Sequence, residues 1–247
     1  MAISYSTVAT FPGWGAAADV FFTSLIDQYG CKHILEIGSG ANPTLKPEDV
    51  RSRRISYVTS DVDAAEMEKT DATFERLVLD LSLDGVDPSL VGQFDCVFSR
   101  MVGEHVTDGQ LFHKNIHTLL RPGGISVHCL STLWCLPFAA NRLFPEFLSD
   151  YLLMLFLPRD RHKHGKFPAS YSWSRGPTKK MISRFESLGF EVVNYTGFFG
   201  HPYYTRIPWL HRAETLKANL LARRPIPMFC SYATIVLRKG YSGEVDG

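Results

Sequence analysis

The sequence has almost no net charge. Its 26 Lys and Arg residues against 25 Asp and Glu residues leave a formal charge of +1 over 247 residues. This balance excludes a globally basic nucleic-acid binder and an acidic tail protein. With 45% hydrophobic residues the chain does not have the composition of a disordered protein, and its length is enough to bury a sizeable core.

Cysteine is scarce, and no CxxC pair occurs. The five cysteines are odd in number and lie mostly among apolar residues, at Cys31, Cys96, Cys129, Cys135 and Cys230. This pattern favours buried free thiols in a reducing compartment over a disulfide or zinc framework.

Long hydrophobic runs are also missing. The first 15 residues lack a basic region followed by an apolar one, so we expect no signal peptide. The most apolar segment, 133–158, contains three charged residues, and its uncharged run 151–158 is far short of the about 20 residues that a spanning helix needs. We therefore expect a cytoplasmic protein without a transmembrane segment, and peripheral contact with a membrane stays open.

Short apolar runs alternate with helical patterns, which is typical of a parallel α/β sheet. The predicted strands cover 33–37, 55–60, 76–79, 94–99, 124–130, 190–196 and 228–238. The predicted helices cover 15–29, 107–120, 178–188 and 209–223, with a further one that contains 47–50. We predict a single α/β domain over 1–247: a Rossmann-like, seven-stranded, mostly parallel sheet with helices on both faces. Lid insertions are expected at about 133–177 and 201–226, where the alternation lapses.

A glycine turn follows the first predicted strand, in the run LEIGSG at 35–40. Glycines let a backbone approach a ligand closely, although many such turns need glycine only for their geometry. The next predicted strand ends at Asp61, 25 positions after Glu36, where an acidic residue can bind ribose hydroxyls. Pro43 stands where a dinucleotide fingerprint would have its third glycine, which weakens NAD or FAD as the ligand.

Together these motifs resemble the class I S-adenosylmethionine (SAM)-dependent methyltransferases. The matching pieces occur in order as LEIGSG (35–40), the strand end at Asp61, LVLDLS (77–82), FDCVFSRMVGEHV (94–106) and LLRPGGISVH (119–128). The resemblance implies SAM as the cofactor and methyl transfer as the activity.

The resemblance also implies roles for single residues. Asp61 would bind the ribose hydroxyls, and Asp80 with Leu81 would flank the adenine. Asp80 could accept a hydrogen bond from the adenine amino group, or it could be a loop acid that caps the next turn. Residues near the ends of the first and fourth predicted strands would line the methionine moiety of SAM. The full implied set is Glu36, Gly38, Ser39, Gly40, Asp61, Val62, Asp80, Leu81, Ser99 and Arg100.

Glu104 and His105 follow the fourth predicted strand on the expected substrate side. Similar Glu-His pairs occur in quinone-type O-methyltransferases and small-RNA methyltransferases, where a Glu three residues earlier helps to bind a divalent metal. Met101 occupies that position here, so we predict no metal. His105 could act as a base, orient the acceptor or cap a helix. Tyr203 and Tyr204, in the second insertion, are further catalytic candidates near the acceptor.

The other histidines carry weaker signals. His113 and His117 stand four residues apart on one predicted helix, and we expect an exposed face there and not a metal pair. His128, in the fifth predicted strand, is expected to be buried with its hydrogen bonds satisfied.

We expect the insertions to determine which acceptor binds. Residues 159–180 contain seven Lys or Arg and one Asp, interleaved with Phe167, Tyr171 and Trp173. Such a strip could bind a phosphate, a carboxylate or a sugar-linked acceptor, or it could be a solvated face. Single-stranded nucleic acid uses the same residue types, but the rest of the chain offers no extended basic surface, so nucleic acid is not favoured. The apolar segment 133–157 could line a pocket, form a homodimer, lie on a membrane or cover the sheet. Trp209, in the second insertion, could complete an aromatic pocket.

The favoured hypothesis is SAM-dependent methyl transfer to a small or amphipathic metabolite, with O-methylation ahead of N- or C-methylation. The alternatives are an RNA methyltransferase that uses the basic strip 159–180 and a catalytically silent scaffold with the SAM-binding fold.

Overall fold

The computed structural model describes residues 1–133 and 169–241. The strands are β1 (Ala2–Thr7), β2 (His33–Ile37), β3 (Ser56–Asp61), β4 (Glu75–Val78), β5 (Phe94–Arg100), β6 (Leu120–Ser131), β7 (Phe190–Phe199) and β8 (Tyr232–Lys239). The helices are α1 (Ala16–Tyr29), α2 (Pro47–Arg53), α3 (Ala64–Glu68), α4 (Gly109–Leu119), α5 (Lys179–Glu186) and α6 (Pro208–Arg223). No helix in these two ranges is long and apolar enough to cross a membrane.

The strands form one sheet in the order β1-β7-β8-β6-β5-β2-β3-β4. All neighbours are parallel except β8, which runs antiparallel to both β6 and β7. The predicted α/β class and the mostly parallel sheet are confirmed. The sheet has an eighth strand, β1, because residues 2–7 pair in parallel with β7. Prediction missed β1 because an exposed edge strand such as AISYST needs no apolar run.

Helices cover both faces of the sheet, as predicted. Side chains alternate along β2, so that Leu35 and Ile37 face one core while Ile34 faces the other. The first core is completed by α4 and α5 and the second by α1, whose Phe22 ring stacks on Phe98 with 4.3 Å between ring centroids. The sheet is thus fixed between two apolar layers, and its strand ends can carry polar chemistry.

Helix starts follow their capping residues. Asp108 accepts hydrogen bonds from Gln110 N and Leu111 N at the start of α4, and Thr178 accepts one from Met181 N at the start of α5. These caps explain why the predicted starts of both helices lie within two residues of the observed ones.

The prediction of an exposed His113 and His117 face was wrong. His113 is buried and packs against Trp173 and the ring of Phe185, while His117 is half-buried. The reason is that α4 turns its His113 side towards α5 and the segment before it. His128 is buried as expected, between Ser99 Oγ (2.7 Å) and Ser126 Oγ (2.5 Å).

Four cysteines are confirmed as buried free thiols, namely Cys31, Cys96, Cys129 and Cys230. Cys135 lies outside the described residues, as do Phe167, all but the first residue of the apolar segment 133–157, and residues 159–168 of the basic strip.

The described end of the basic strip belongs to the fold and not to an open binding loop. Trp173 is buried in the core beside α5, where the Arg184 guanidinium lies 5.3 Å from its ring centroid, and Tyr171 is buried as well. These two aromatic side chains therefore pack in the fold, and they are not exposed for the ligand contact that the sequence left open.

Candidate functional site

A pocket of about 360 Å³ lies where β2, β3, β4 and β5 end. Its lining residues come from the four segments that follow these strands: Ile37, Gly38, Asp61, Val62, Leu79, Asp80, Leu81, Ser82, Met101, Val102, His105, Val106, Thr107 and Phe112. The carboxyl ends of parallel strands are where open α/β sheets bind their ligands. Six of the predicted site residues meet here: Gly38, Asp61, Val62, Asp80, Leu81 and His105.

The glycine turn needs glycine for two reasons. Gly38 has a φ of +67°, and a Cβ built there would come within 2.4 Å of Val102 Cγ2. Gly40, with a φ of +50°, points its amide at Asp61 Oδ2 at 3.0 Å, and Ser39 N donates to Ser60 O. Gly38 therefore lines the pocket, whereas Ser39 and Gly40 tie the turn to β3.

Asp61 ends β3 with both carboxylate oxygens oriented by the backbone. Oδ2 accepts from Gly40 N at 3.0 Å, and Oδ1 accepts from Asp63 N at 3.1 Å. A carboxylate oxygen has a second lone pair, so each can also accept from a ligand hydroxyl. Asp63 itself caps α3 by accepting from Ala65 N, which leaves Asp61 as the acid that faces the pocket.

Asp80 combines the two roles that its sequence position allowed. Its Oδ1 accepts from Ser82 N (2.8 Å) and Ser82 Oγ (2.5 Å), so it caps the following turn. Within the described residues no hydrogen bond reaches Oδ2, and the residue lines the pocket. Leu81 is buried beside it, with its carbonyl held by Asn115 Nδ2 at 2.9 Å. The capping bond thus leaves one oxygen of Asp80 for a ligand.

Glu36 does not line the pocket. Its buried carboxylate accepts hydrogen bonds from Thr44 N (2.9 Å), from Thr44 Oγ1 (2.5 Å) and from the Tyr57 hydroxyl. Burial raises the pKa of Glu36, while the hydrogen bonds from Thr44 and Tyr57 oppose that rise. In this position Glu36 ties the loop after the glycine turn to β3.

Ser99 and Arg100 also lie outside the pocket lining. Ser99 Oγ is 2.7 Å from His128 Nδ1 in the core, and Arg100 Nη2 donates to Asn42 O at 3.5 Å. Both residues support the strand end and its neighbouring loop. Their predicted place at the methionine end stays a prediction.

Glu104 and His105 point in different directions. His105 is exposed and lines the pocket, whereas Glu104 is buried and accepts from Ser131 Oγ at 3.0 Å. Burial raises the pKa of Glu104. Its main-chain oxygen accepts from the amides of Ser170 (2.8 Å) and Tyr171 (2.9 Å). Glu104 therefore anchors the chain where it returns to the described fold, directly beside His105.

Tyr203 and Tyr204 stand at the other end of the same sheet edge, after β7. Their rings lie 5.4 Å and 4.5 Å from that of His201, and neither lines the pocket. Trp209, which the sequence hypothesis placed in an aromatic pocket, is 71% exposed on α6. That placement of Trp209 was wrong, because its side of the helix faces away from the sheet.

Met101 is a pocket residue that sequence reasoning missed as a contact. It has a φ of +57°, uncommon for a residue with a side chain, and its amide donates to Cys129 O at 2.7 Å. Such strain is typical of functional sites, because the surrounding structure must hold it in place. The only sequence signal was its position directly after a buried strand.

No metal-binding arrangement of three or more His, Cys, Asp or Glu residues occurs within residues 1–133 and 169–241. The described pocket instead offers oriented carboxylates at one end, an apolar wall, and the His105 imidazole. This arrangement suits a ligand with hydroxyl and amino donors on a flat ring, as a nucleoside has.

The comparisons with known proteins agree with this geometry. Residues 35–128 match the family model for the methyltransferase domain. A SAM dependent methyltransferase from Archaeoglobus fulgidus is 15% identical with a TM-score of 0.51, and the match covers 90% of this chain and 94% of that one. No curated protein sequence matches the chain.

Two further solved structures share the fold. Phosphoethanolamine N-methyltransferase 2 from Haemonchus contortus, in complex with S-adenosyl-L-methionine, is 14% identical with a TM-score of 0.53, and the match covers 92% of this chain and 53% of that one. StiE O-MT is 13% identical with a TM-score of 0.52, covering 91% of this chain and 73% of that one. At these identities the likeness concerns the fold.

Proposed function

We propose that this chain, whose residues 35–128 match the family model for the methyltransferase domain, is a class I SAM-dependent methyltransferase that methylates an oxygen atom of a small or amphipathic acceptor. One observation carries this proposal: Asp61 and His105 line the same pocket. The acid suits the ribose of the cofactor, and the imidazole suits an acceptor that must lose a proton.

In this proposal the cofactor lies along the strand ends. Asp61 accepts hydrogen bonds from the ribose hydroxyls, and Asp80 accepts one from the adenine amino group through Oδ2. Val62 and Leu81 pack beside the adenine, and the bare backbone at Gly38 leaves room for the methionine moiety. SAM supplies an electrophilic methyl group on sulfur when it is bound.

The residues outside the lining have supporting roles in the same proposal. Glu36, Ser39 and Gly40 hold the turn in place, and Ser99 and Arg100 support the end of β5. Their effect on binding is exerted through the loops that they fix.

His105 is the proposed base. Methyl transfer needs an aligned acceptor and a water-free pocket, and a hydroxyl acceptor must also give up its proton. The apolar wall of Val102, Val106 and Phe112 lowers access of water to the reacting atoms. Glu104 positions His105 through the main chain, and Tyr203 and Tyr204 are proposed to contact the acceptor, since their loop follows β7 at the same edge of the sheet.

The test is incubation of the protein with radiolabelled SAM and fractionated cell extract, followed by mass spectrometry of the labelled product. We expect a labelled O-methyl metabolite, and we expect His105→Ala to lower the rate about a hundredfold with SAM binding kept. A labelled nitrogen or carbon atom would contradict the O-methyl assignment.

The other hypotheses give different results in the same assay. An RNA methyltransferase would lose its labelled product when the extract is treated with nuclease. A silent scaffold would bind SAM and label nothing, and either outcome would overturn the proposal. The burial of Tyr171 and Trp173 weighs against RNA binding by the described part of the strip.

A further inference from the structure

Helix α6 uses only one of its sides to pack against the fold. Glu214 and Ala218 are buried on that side, and Leu221 and Ala222 join them against Phe199. These positions recur at intervals of three and four residues, so they form one face of the helix. The opposite face is therefore turned away from the sheet.

That opposite face is apolar along its centre. Trp209 and Leu216 are each 71% exposed, Leu220 is 61% exposed, and Ala213 is exposed between them. The chain that follows exposes Ile226, Met228 and Phe229, each between 44% and 46%. We call these seven residues the α6 surface. Exposed apolar residues grouped in this way mark interaction sites.

Positive charge surrounds the α6 surface. Residues 206–224 contain five basic residues, Arg206, Arg212, Lys217, Arg223 and Arg224, and one acid. That acid, Glu214, is turned inward and pairs with Lys217 at 2.6 Å. Within the described part of the chain, none of the four arginines forms a salt bridge. The outward side of α6 thus combines apolar residues with uncompensated positive charge.

We propose that the α6 surface docks on an anionic phospholipid membrane. The Trp209 ring and the leucines would enter the boundary between headgroups and acyl chains, while the arginines meet lipid phosphates. A nucleic acid would use the arginines but leave the leucine stripe in water. A second copy joined through the same surface would bring like charges together, because a two-fold interface repeats one patch on both partners. An anionic bilayer satisfies both parts of the surface.

The position of α6 relative to the pocket gives this docking a functional consequence. The segment 200–231, which contains the helix, connects the carboxyl end of β7 to the start of the antiparallel β8, so it begins and ends at the sheet edge that holds the pocket. Docking would hold that edge close to the bilayer, where amphipathic acceptors are concentrated. This consequence for the acceptor rests on the proposed function, whereas the docking does not.

The test is co-sedimentation of the whole protein with vesicles of phosphatidylcholine alone or with one quarter phosphatidylglycerol. We expect binding only to the anionic vesicles, weakened by 0.5 M salt. Leu216→Ser and Trp209→Ser should each lower the partition coefficient about tenfold. Arg212→Gln with Arg223→Gln should lower it about 25-fold, because each basic residue near an anionic surface contributes about fivefold. Val20→Ser, at a position 68% exposed on α1, is the matched control and should change nothing.

Three results would overturn the proposal. Equal binding to both vesicle types, or none, would exclude recognition of anionic lipid. A wild-type dimer that Leu216→Ser dissociates, without vesicle binding, would assign the surface to a second copy. A lower melting temperature for Leu216→Ser, again without vesicle binding, would assign it to a contact within the chain. Calorimetry with SAM on each variant separates these outcomes from failure of the proposed function, since every variant should keep wild-type affinity.

Discussion

Two carboxylates near the same edge of the sheet are held in different ways. Asp61, at the end of β3, is oriented by the main-chain amides of Gly40 and Asp63. Glu214, beyond the end of β7, is oriented by side chains: Lys217 Nζ at 2.6 Å and His201 Nε2 at 3.6 Å. The first arrangement leaves the carboxylate facing a pocket, whereas the second encloses it. Asp61 is thus placed where a ligand can reach it, whereas Glu214 is enclosed by its neighbours.

The largest expected effect is on SAM affinity and follows from a change at Asp61. Asp61→Ala should weaken SAM binding roughly a hundredfold, because hydrogen bonds from two hydroxyls to a charged acceptor are lost. Isothermal calorimetry measures this directly. Asp87→Ala is the matched control, since Asp87 also caps a turn, through Ser89 N at 2.8 Å, but lies outside the pocket lining. Unchanged affinity in Asp61→Ala would contradict the assignment of the whole site.

The second prediction concerns the β7 end and its dependence on pH. Burial lowers the pKa of His201 from 6.5 to about 4, with Glu214 opposing that shift and Lys217 and His211 reinforcing it. The unfolded chain therefore takes up a proton at a higher pH than the folded one. The contribution of His201 to stability is present above pH 6.5, and it should fall by about 2 kcal/mol between pH 6.5 and 4.5.

Urea unfolding at several pH values measures the slope of the free energy of unfolding against pH. His201→Gln removes one titrating group and should flatten the profile by that contribution, although buried His128, whose pKa burial lowers to about 3, keeps part of the slope. The exposed His33 provides the control as His33→Gln. An identical slope in His201→Gln would show that the protonation of His201 does not influence stability.

The third prediction distinguishes a residue that holds the loop in place from one that contacts the cofactor. Glu36→Gln places an amide nitrogen where a carboxylate accepted donors from Thr44 and Tyr57, so one buried donor loses its partner. We expect about 1–2 kcal/mol lower stability and a loss of SAM affinity below about tenfold. An affinity loss as large as that of Asp61→Ala would instead mean that Glu36 contacts the cofactor.

The smallest effect is expected at Asp63, near Asp61, the acid that we propose binds the ribose. Asp63→Ala removes the side-chain cap of α3 but keeps the amide that orients Asp61. Stability should fall by about 1 kcal/mol or less, as for other N-caps, with SAM affinity unchanged. Thermal unfolding and calorimetry on one preparation would measure both, and a clear loss of affinity would show that the side chain at this position also contributes to binding.

The same contrast explains what could be predicted from the sequence. The Asp61 site is formed by residues within about 25 positions of each other, on two strands whose apolar runs and glycine turn are visible in the sequence. His201 and Glu214 meet only because α6 folds back on β7, and no local pattern records such a contact.

The remaining errors have similar causes. The burial of His113 depends on α5 and on Trp173, which is 60 positions away, so the pattern of α4 alone could not indicate it. β1 could not be predicted because its stability comes from pairing with β7, far along the chain. The conformation of Met101 depends on backbone geometry that residue type does not encode.

The anchoring of the chain at Glu104 has a consequence for how the sequence around the pocket can change. Residue 133 leaves the fold with its amide bonded to Ser174 O, and the chain returns at Ser170, bonded to Glu104 O. Departure and return are thus both fixed by main-chain hydrogen bonds, which do not depend on side-chain identity. Main-chain bonds of this kind survive a change of side chain at Ser170, because every residue except proline offers the same amide donor. Sequence change at that position therefore leaves Glu104, and with it His105 beside the pocket, in place.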